Sequence, residues 1–397
     1  MTSLSIHMGK DNKIFCTAPF TTLRIESYSA SIPGKYDQYG VIFKPGCVYD
    51  PQGPISSLDE YLQGQEMSWH RNNLLQGLQP HPGCHRCWKS EQIGLDSTRK
   101  QLLKKPYASD QMGIKLLDVF FGNVCNMACF MCDPEWSSKH AEESYQLGFI
   151  KQRIDVKDNT DTVLETIDLL PDLEQVSFIG GEFFLFKNNV KICNKIIEKN
   201  LEARIVTNAS VLTDELWKKL TEIKAIEMQI SIDAIEETYA LMRYPYTWDT
   251  LIGNYQKLKQ LSNIKLNFHV VTQVLNIQNL HATLDWANRE RTPISLHNLS
   301  PGCWSWDILT VSEKIELKQY LQDCNQRFRL ISKQTQWIQD LIDGLDKVKF
   351  SPQWRQQFVD RFSKLMKHRK VDIPQIQKHL GIFRSLFDEV LTAMDAH

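Results

Sequence analysis

Three cysteines, Cys125, Cys129 and Cys132, fall within eight residues in the order C-x3-C-x2-C. So tight a group brings three thiolates onto one short loop, the donor set an iron–sulfur cluster needs. Three ligands are one short of the usual four, so a [4Fe–4S] cluster held there keeps one iron open to a ligand that is not protein. Spacing alone leaves two other readings: zinc, which favours four closed ligands in structural sites, and buried thiols acting as small hydrophobes. A second set, Cys16, Cys47, Cys84 and Cys87, lies nearer the N-terminus, each cysteine beside a Pro or Gly turn and the last two forming a C-x2-C pair. On residue type alone this set favours zinc slightly over an iron–sulfur cluster.

Strands and helices have to carry these side chains. The apolar run Leu116, Leu117, Val119, Phe120, Phe121 predicts a buried strand that breaks at Gly122-Asn123 and hands the chain to the cysteine loop. From residue 111 to 300, strand-like and helix-like stretches alternate, the pattern of parallel β/α units. Val176–Ile179 leads into Gly180-Gly181-Glu182, Arg204–Val206 into Thr207-Asn208, and Met228–Ile232 ends at Ser231 and Asp233. Further strands are expected at Ile264–Val270 and Ile294–Leu296. Six such units predict a partial (β/α)6 TIM-type barrel with its site at the C-terminal ends of the strands. A glycine pair lets backbone approach a ligand closely or simply makes a turn; Thr207, Asn208, Ser231 and Asp233 equally suit capping of the following helices.

The rest of the chain flanks that core. Residues 1–110 read as a small N-terminal domain, with strands near Thr21–Glu26 and Val41–Phe43 and a capping box at Ser57/Glu60. Residues 301–397 read as helical, with a capping box at Thr310/Glu313 and a helix opening at Ser351-Pro352 that turns Trp354, Phe358, Phe362 and Leu365 inward. Helical spacing predicts core positions for Cys193 (with Val190 and Ile197) and Cys324. Gly302-Cys303-Trp304-Ser305-Trp306, just past the last strand, reads either as a cavity mouth or as a loop packed by its tryptophans.

The 397 residues are 42% hydrophobic and 23% charged, with net charge −1. That composition supports two or three domains with cores of their own. It gives no electrostatic reason to expect nucleic acid or a membrane surface. No apolar run approaches the roughly 18–20 residues of a membrane span, and the N-terminus has no signal-peptide pattern. Ten cysteines, clustered rather than spread, point to a reducing cytoplasm rather than a disulfide scaffold.

The C-x3-C-x2-C loop after a first strand resembles the radical S-adenosylmethionine (radical SAM) superfamily. The resemblance extends over residues 14–300 and implies a [4Fe–4S] cluster on Cys125, Cys129 and Cys132 whose open iron chelates SAM. It implies reductive cleavage to a 5′-deoxyadenosyl radical that takes hydrogen from a peptide side chain or small molecule, and an electron donor such as flavodoxin or ferredoxin. Gly180-Gly181-Glu182 matches the motif for the methionine amino group, with Phe183 in place of the usual proline. Ser231, Asp233 and Arg243 match residues that hold the ribose and carboxylate. Thr207, Asn208 and Gln273 fall at further strand ends, Gln273 on the adenine side. Met131 stands where the family has an aromatic residue.

The pattern around Cys16, Cys47, Cys84 and Cys87, continued by Trp88, Glu91, Gly94, Ser97 and Arg99, resembles the auxiliary-cluster region of the SPASM/twitch branch, here before the core instead of after it. It implies a second [4Fe–4S] cluster and an oxidation or epimerisation. No leader-binding stretch is evident before residue 110, which turns the expectation away from a leader-guided peptide. The reading from another class is a non-catalytic scaffold holding iron–sulfur clusters or zinc.

Overall fold

The computed structural model describes residues 14–27, 41–49, 53–78, 81–92, 97–154, 156, 158–299 and 302–396. Gly94 of the N-terminal motif lies outside them. Eight strands, β1 (Thr22–Ser27), β2 (Val41–Lys44), β3 (Leu116–Phe120), β4 (Gln175–Ile179), β5 (Glu202–Thr207), β6 (Ile226–Ser231), β7 (Ile264–Thr272) and β8 (Ile294–Asn298), make one sheet in the order β2-β1-β3-β4-β5-β6-β7-β8. The β1/β3, β3/β4, β4/β5 and β7/β8 pairs are parallel, and β2 runs antiparallel to β1. The fold is a mixed α/β fold around a mostly parallel sheet.

The chain divides into two compact units, and β6 contributes residues to each. The first comprises Met1–Cys125, Ile154–Val206 and Leu212–Glu227; the second comprises Asn126–Arg153, Thr207–Val211 and Met228–His397. In the first unit, every residue of β3 is buried, as expected of a strand covered on both faces. Asp118 breaks its apolar run. The parallel register sets Asp118 opposite Arg24 of β1, whose Nε donates to Asp118 Oδ2 at 2.7 Å. A buried carboxylate is tolerable only when paired in this way. The strands expected in the N-terminal segment therefore extend the main sheet from the β3 side.

In the second unit, Thr310 and Glu313 form the expected capping box at the start of helix Val311–Arg327. Glu313 also meets Arg355 of helix Pro352–Arg369, and Arg355 reaches Glu389 of helix Arg384–Ala396. Phe358, Phe362 and Leu365 are buried as expected, but Trp354 is 38% exposed. It sits in the helix's first turn, one step ahead of the inward stripe. Cys324 is core. In the first unit Cys193 is core too, but its companions are Ile192 and Ile196 rather than Val190 and Ile197. Ser57 caps Glu60 N, while the Glu60 carboxylate turns to Ser56 N, so the expected box closes one residue early. Among the described residues no helix is long and apolar enough to cross a membrane.

Candidate functional site

In the first unit, the N-terminal cysteines come together. Burial and the nearby Cys47 and Cys87 thiols push the Cys16 thiol upward. Cys84 is raised by burial and by Cys47, Cys16 and Cys87, and burial lifts Cys47 to about 11. Sulfurs that raise one another's pKa share one locale. The motif residues after the C-x2-C pair frame it. Glu91 accepts from Ser97 Oγ and from Arg99 Nε at 2.9 Å. Arg99 also donates to the Phe15 carbonyl at 2.8 Å, next to Cys16, and lies 4.7 Å from the Trp88 ring. The motif thus fixes the chain on either side of the thiols.

His70, which sequence reading missed, sets Nε2 3.7 Å from Cys84 Sγ, and burial holds its pKa down to about 3. No periodicity marks a histidine as a thiol's neighbour. Among the described residues no group of three or more ligating side chains is drawn up as a ready-made metal cage. The donor chemistry, with the Cys16, Cys47 and Cys84 thiols raised by burial and by neighbouring sulfurs, still suits a metal that displaces their protons.

Also in the first unit, Gly180 and Gly181 take φ of +80° and +53°. A Cβ on Gly180 would strike the Phe120 ring at 1.8 Å, and one on Gly181 would meet the Val124 carbonyl oxygen at 2.6 Å. The glycines therefore allow the chain leaving β4 to lie against the chain leaving β3. Glu182 N donates to Val124 O at 2.7 Å, which ties the motif to the residue before Cys125. Its carboxylate accepts from Phe184 N at 3.1 Å.

The second unit holds Cys129, Cys132 and the remaining candidates. Asp233, at φ +57°, has a fully buried side chain ion-paired with Arg243 at 2.5 Å; its Oδ1 accepts from Val271 N at 2.8 Å. Burial raises its pKa, with Arg243 opposing. Arg243 Nη1 lies 3.6 Å from Cys129 Sγ, so its fork is turned to Asp233 and a loop sulfur. Burial raises the Cys129 thiol, and Arg243 opposes. A guanidinium aimed at sulfur stabilises thiolate over thiol, an arrangement that fits thiolate ligation of a cluster.

Asn208 donates to Asn126 Oδ1 at 3.0 Å, and Asn126 donates to Ser210 Oγ at 2.8 Å and Tyr246 OH at 2.6 Å. The end of β5 is thereby tied to the cysteine loop. Thr207 Oγ1 accepts from Ala209 N at 2.9 Å in a local turn, while the following helix, Asp214–Glu222, is capped by Thr213 instead. Gln273 is completely buried with neither side-chain amide atom hydrogen-bonded. Such orphaned atoms cost about 1–3 kcal/mol unless a ligand meets them. Ser231 is buried on the same unit.

Sequence reading also missed Arg369, which grips the loop. Its Nε and Nη2 donate to Glu143 at 2.8 and 2.6 Å, and Nη2 donates to the Ala128 carbonyl at 2.6 Å. Met131 and Cys132 border a cavity of about 280 Å³ that Cys303 and Trp304 also line, while Trp304 packs on Phe130 and Phe358 and Trp306 is buried.

Residues 119–287 match the Radical SAM superfamily model. That stretch is similar to radical SAM domains. Members of that superfamily are enzymes that use a [4Fe–4S] cluster and SAM. A tungsten-containing aldehyde ferredoxin oxidoreductase cofactor-modifying protein of Pyrococcus furiosus is 26% identical over 113 residues, covering 28% of this chain and 28% of that protein. Among solved structures, Streptococcus suis SuiB bound to precursor peptide SuiA is 14% identical with a TM-score of 0.38, covering 62% of this chain and 61% of that one. The Kitasatospora setae methyltransferase TsrM with tryptophan and a SAM analogue is 12% identical with a TM-score of 0.35, covering 46% and 35%. Superpositions this loose say nothing of this chain's chemistry, and it spans only part of each relative.

Proposed function

We propose that this chain is a radical SAM oxidoreductase that cleaves SAM reductively and abstracts hydrogen from a small molecule or peptide side chain, leading to oxidation or epimerisation. When bound, the [4Fe–4S] cluster supplies the electron that breaks the sulfonium C–S bond to give methionine and a 5′-deoxyadenosyl radical. The observation that carries the reading is the buried Asp233–Arg243 pair directed at Cys129 Sγ, inside the matched domain. Cys125, Cys129 and Cys132 would hold the cluster. Gly180, Gly181 and Glu182, with Thr207, Asn208, Ser231 and Gln273, would line the SAM site, and Met131 would pack near the adenine. Arg243 would help hold the ribose and carboxylate of SAM, steadied by Asp233 and lying beside the Cys129 sulfur.

Strands β3–β8 are read as the partial (β/α)6 barrel, with 1–110 as an auxiliary-cluster domain of SPASM/twitch type and 301–397 as a helical region. Cys16, Cys47, Cys84 and Cys87 would hold a second [4Fe–4S] cluster that relays an electron; their mutual coupling supports one shared metal site, and structural zinc is the competing occupant. A reducing cytoplasm and a flavodoxin- or ferredoxin-type donor fit this chemistry.

The test is anaerobic purification followed by iron, sulfide and zinc analysis and an assay for 5′-deoxyadenosine under dithionite. About eight irons and SAM cleavage are expected, with cleavage lost and iron roughly halved when Cys125, Cys129 and Cys132 become Ala. A triple variant that still cleaves SAM refutes the reading. Near-stoichiometric zinc with about four irons refutes the second cluster.

A further inference from the structure

Helix Pro352–Arg369 of the second unit carries three arginines that meet different fates. Arg355 is shared between the carboxylates of Glu313 and Glu389, and Arg369 is spent on Glu143. Arg361 has no contact ion pair among the described residues. Its guanidinium lies near enough to Cys303 and Asp133 to oppose the effect of burial on each. One turn on, Lys364 joins it over the same ring, with Arg361 5.1 Å and Lys364 5.9 Å from the Phe149 centroid. Like charges three residues apart on a helix repel, and an anion placed between them and solvent would relieve that repulsion.

Arg361 lines the cavity of about 280 Å³ that Cys132 and Trp304 also border. That volume lies at the small end of small-molecule sites. Its walls are mostly apolar and aromatic, with Phe149, Trp304 and Trp354 among them. The wall also includes His140, 8% exposed, whose Nδ1 is buried and has no hydrogen-bond partner. Burial pushes the His140 pKa down to about 4, so the ring is neutral at pH 7 and offers hydrogen bonding without charge. A guanidinium that makes no contact ion pair with Asp133 of the same wall, a buried imidazole nitrogen without a partner and aromatic walls together describe a site for an anionic head on an apolar body.

We propose that this cavity binds a small amphipathic carboxylate, an organic acid with an apolar or aromatic body, with Arg361 holding the carboxylate and the tryptophans the body. As the substrate site, the assignment rests on the radical SAM reading; as a carboxylate site, it stands on the cavity alone.

The probe is 3-phenylpropionate, with 3-phenylpropionamide and phenethylamine as controls, followed by ligand-observed saturation-transfer NMR on anaerobic, cluster-loaded protein. The acid binds saturably with a Kd on the order of 1 mM, as expected of a ligand this small. The amide and the amine bind at least about ten-fold more weakly, because the guanidinium's charge-assisted bonds are lost. Arg361→Gln loses a similar factor, and Arg361→Lys, which keeps charge without the planar fork, recovers part of it. Equal binding of acid and amide by the unsubstituted protein overturns the proposal whether or not a variant folds. So does an Arg361→Gln protein of unchanged iron content that binds the acid normally. Acid binding without SAM cleavage would refute the radical SAM reading and leave the site intact; SAM cleavage without acid binding would do the reverse.

Discussion

Arg369 should be among the most costly single side chains to remove from the second unit. Its guanidinium is 1% exposed and its partner Glu143 is 5% exposed. It also stacks 4.7 Å from the Phe130 ring and 4.6 Å from the Tyr244 ring, and it supplies the donor to the Ala128 carbonyl. Arg369→Ala strands the Glu143 carboxylate away from water, which costs about 3–5 kcal/mol, and leaves Ala128 O without that donor, about 1–3 kcal/mol more. These terms overlap, so about 4 kcal/mol is a fair total. For a unit near 200 residues that corresponds to a fall in Tm of roughly 8–16 °C. Ala128 precedes Cys129 on the cysteine loop, so iron retention should fall with stability.

The assay is thermal unfolding of anaerobic protein together with iron content after gel filtration. The double variant Arg369→Met with Glu143→Leu removes both charges and fills the space. It should recover much of the loss, since a well-packed apolar pair often matches a buried ion pair. The coupling between the two sites is read from the double-mutant cycle. A fall in Tm below about 2 °C for Arg369→Ala, or a double variant worse than the sum of the singles, would refute the reasoning.

Arg243→Gln leaves the fully buried Asp233 carboxylate unpaired and withdraws the donor from Cys129 Sγ. It should cost about 3–5 kcal/mol and, in cluster-loaded protein, make the midpoint potential more negative because a cation and a hydrogen bond to sulfur are gone; an unchanged EPR-monitored potential at unchanged iron content counts against the arrangement. Burial alone would raise Glu313, but hydrogen bonds from Arg355 and Thr310 hold it below its ordinary value of 4.5. Its stabilising contribution is therefore complete above about pH 4.5 and is lost as pH falls through the lower folded value. Glu313→Gln should be less stable at pH 7 and lose less between about pH 5 and 3 than the unsubstituted protein, with parallel pH profiles as the result that would exclude the effect.

Local sequence determined the pieces of this protein. The C-x3-C-x2-C loop, the Thr310 cap and the strand alternation all depend on contacts within a few residues, where side-chain type and spacing act directly, whereas the glycine pair after β4 answers to Phe120 and Val124 on the neighbouring strand's exit. The capping box at Ser57 went astray by one residue, because which backbone N–H a glutamate reaches is a matter of rotamer rather than spacing. Tertiary structure decided the partners. Arg24 meets Asp118 only because a parallel register joins β1 to β3. Arg369 reaches Glu143 and Ala128 across more than two hundred residues of chain. Arg243 meets Asp233 and the Cys129 sulfur, the latter from more than a hundred residues away in sequence, so no local spacing encodes that contact. The gathering of Cys16, Cys47, Cys84 and Cys87 was legible as a set, but their shared locale needed the Glu91–Arg99 lock, whose long-range bond to the Phe15 carbonyl no local pattern encodes.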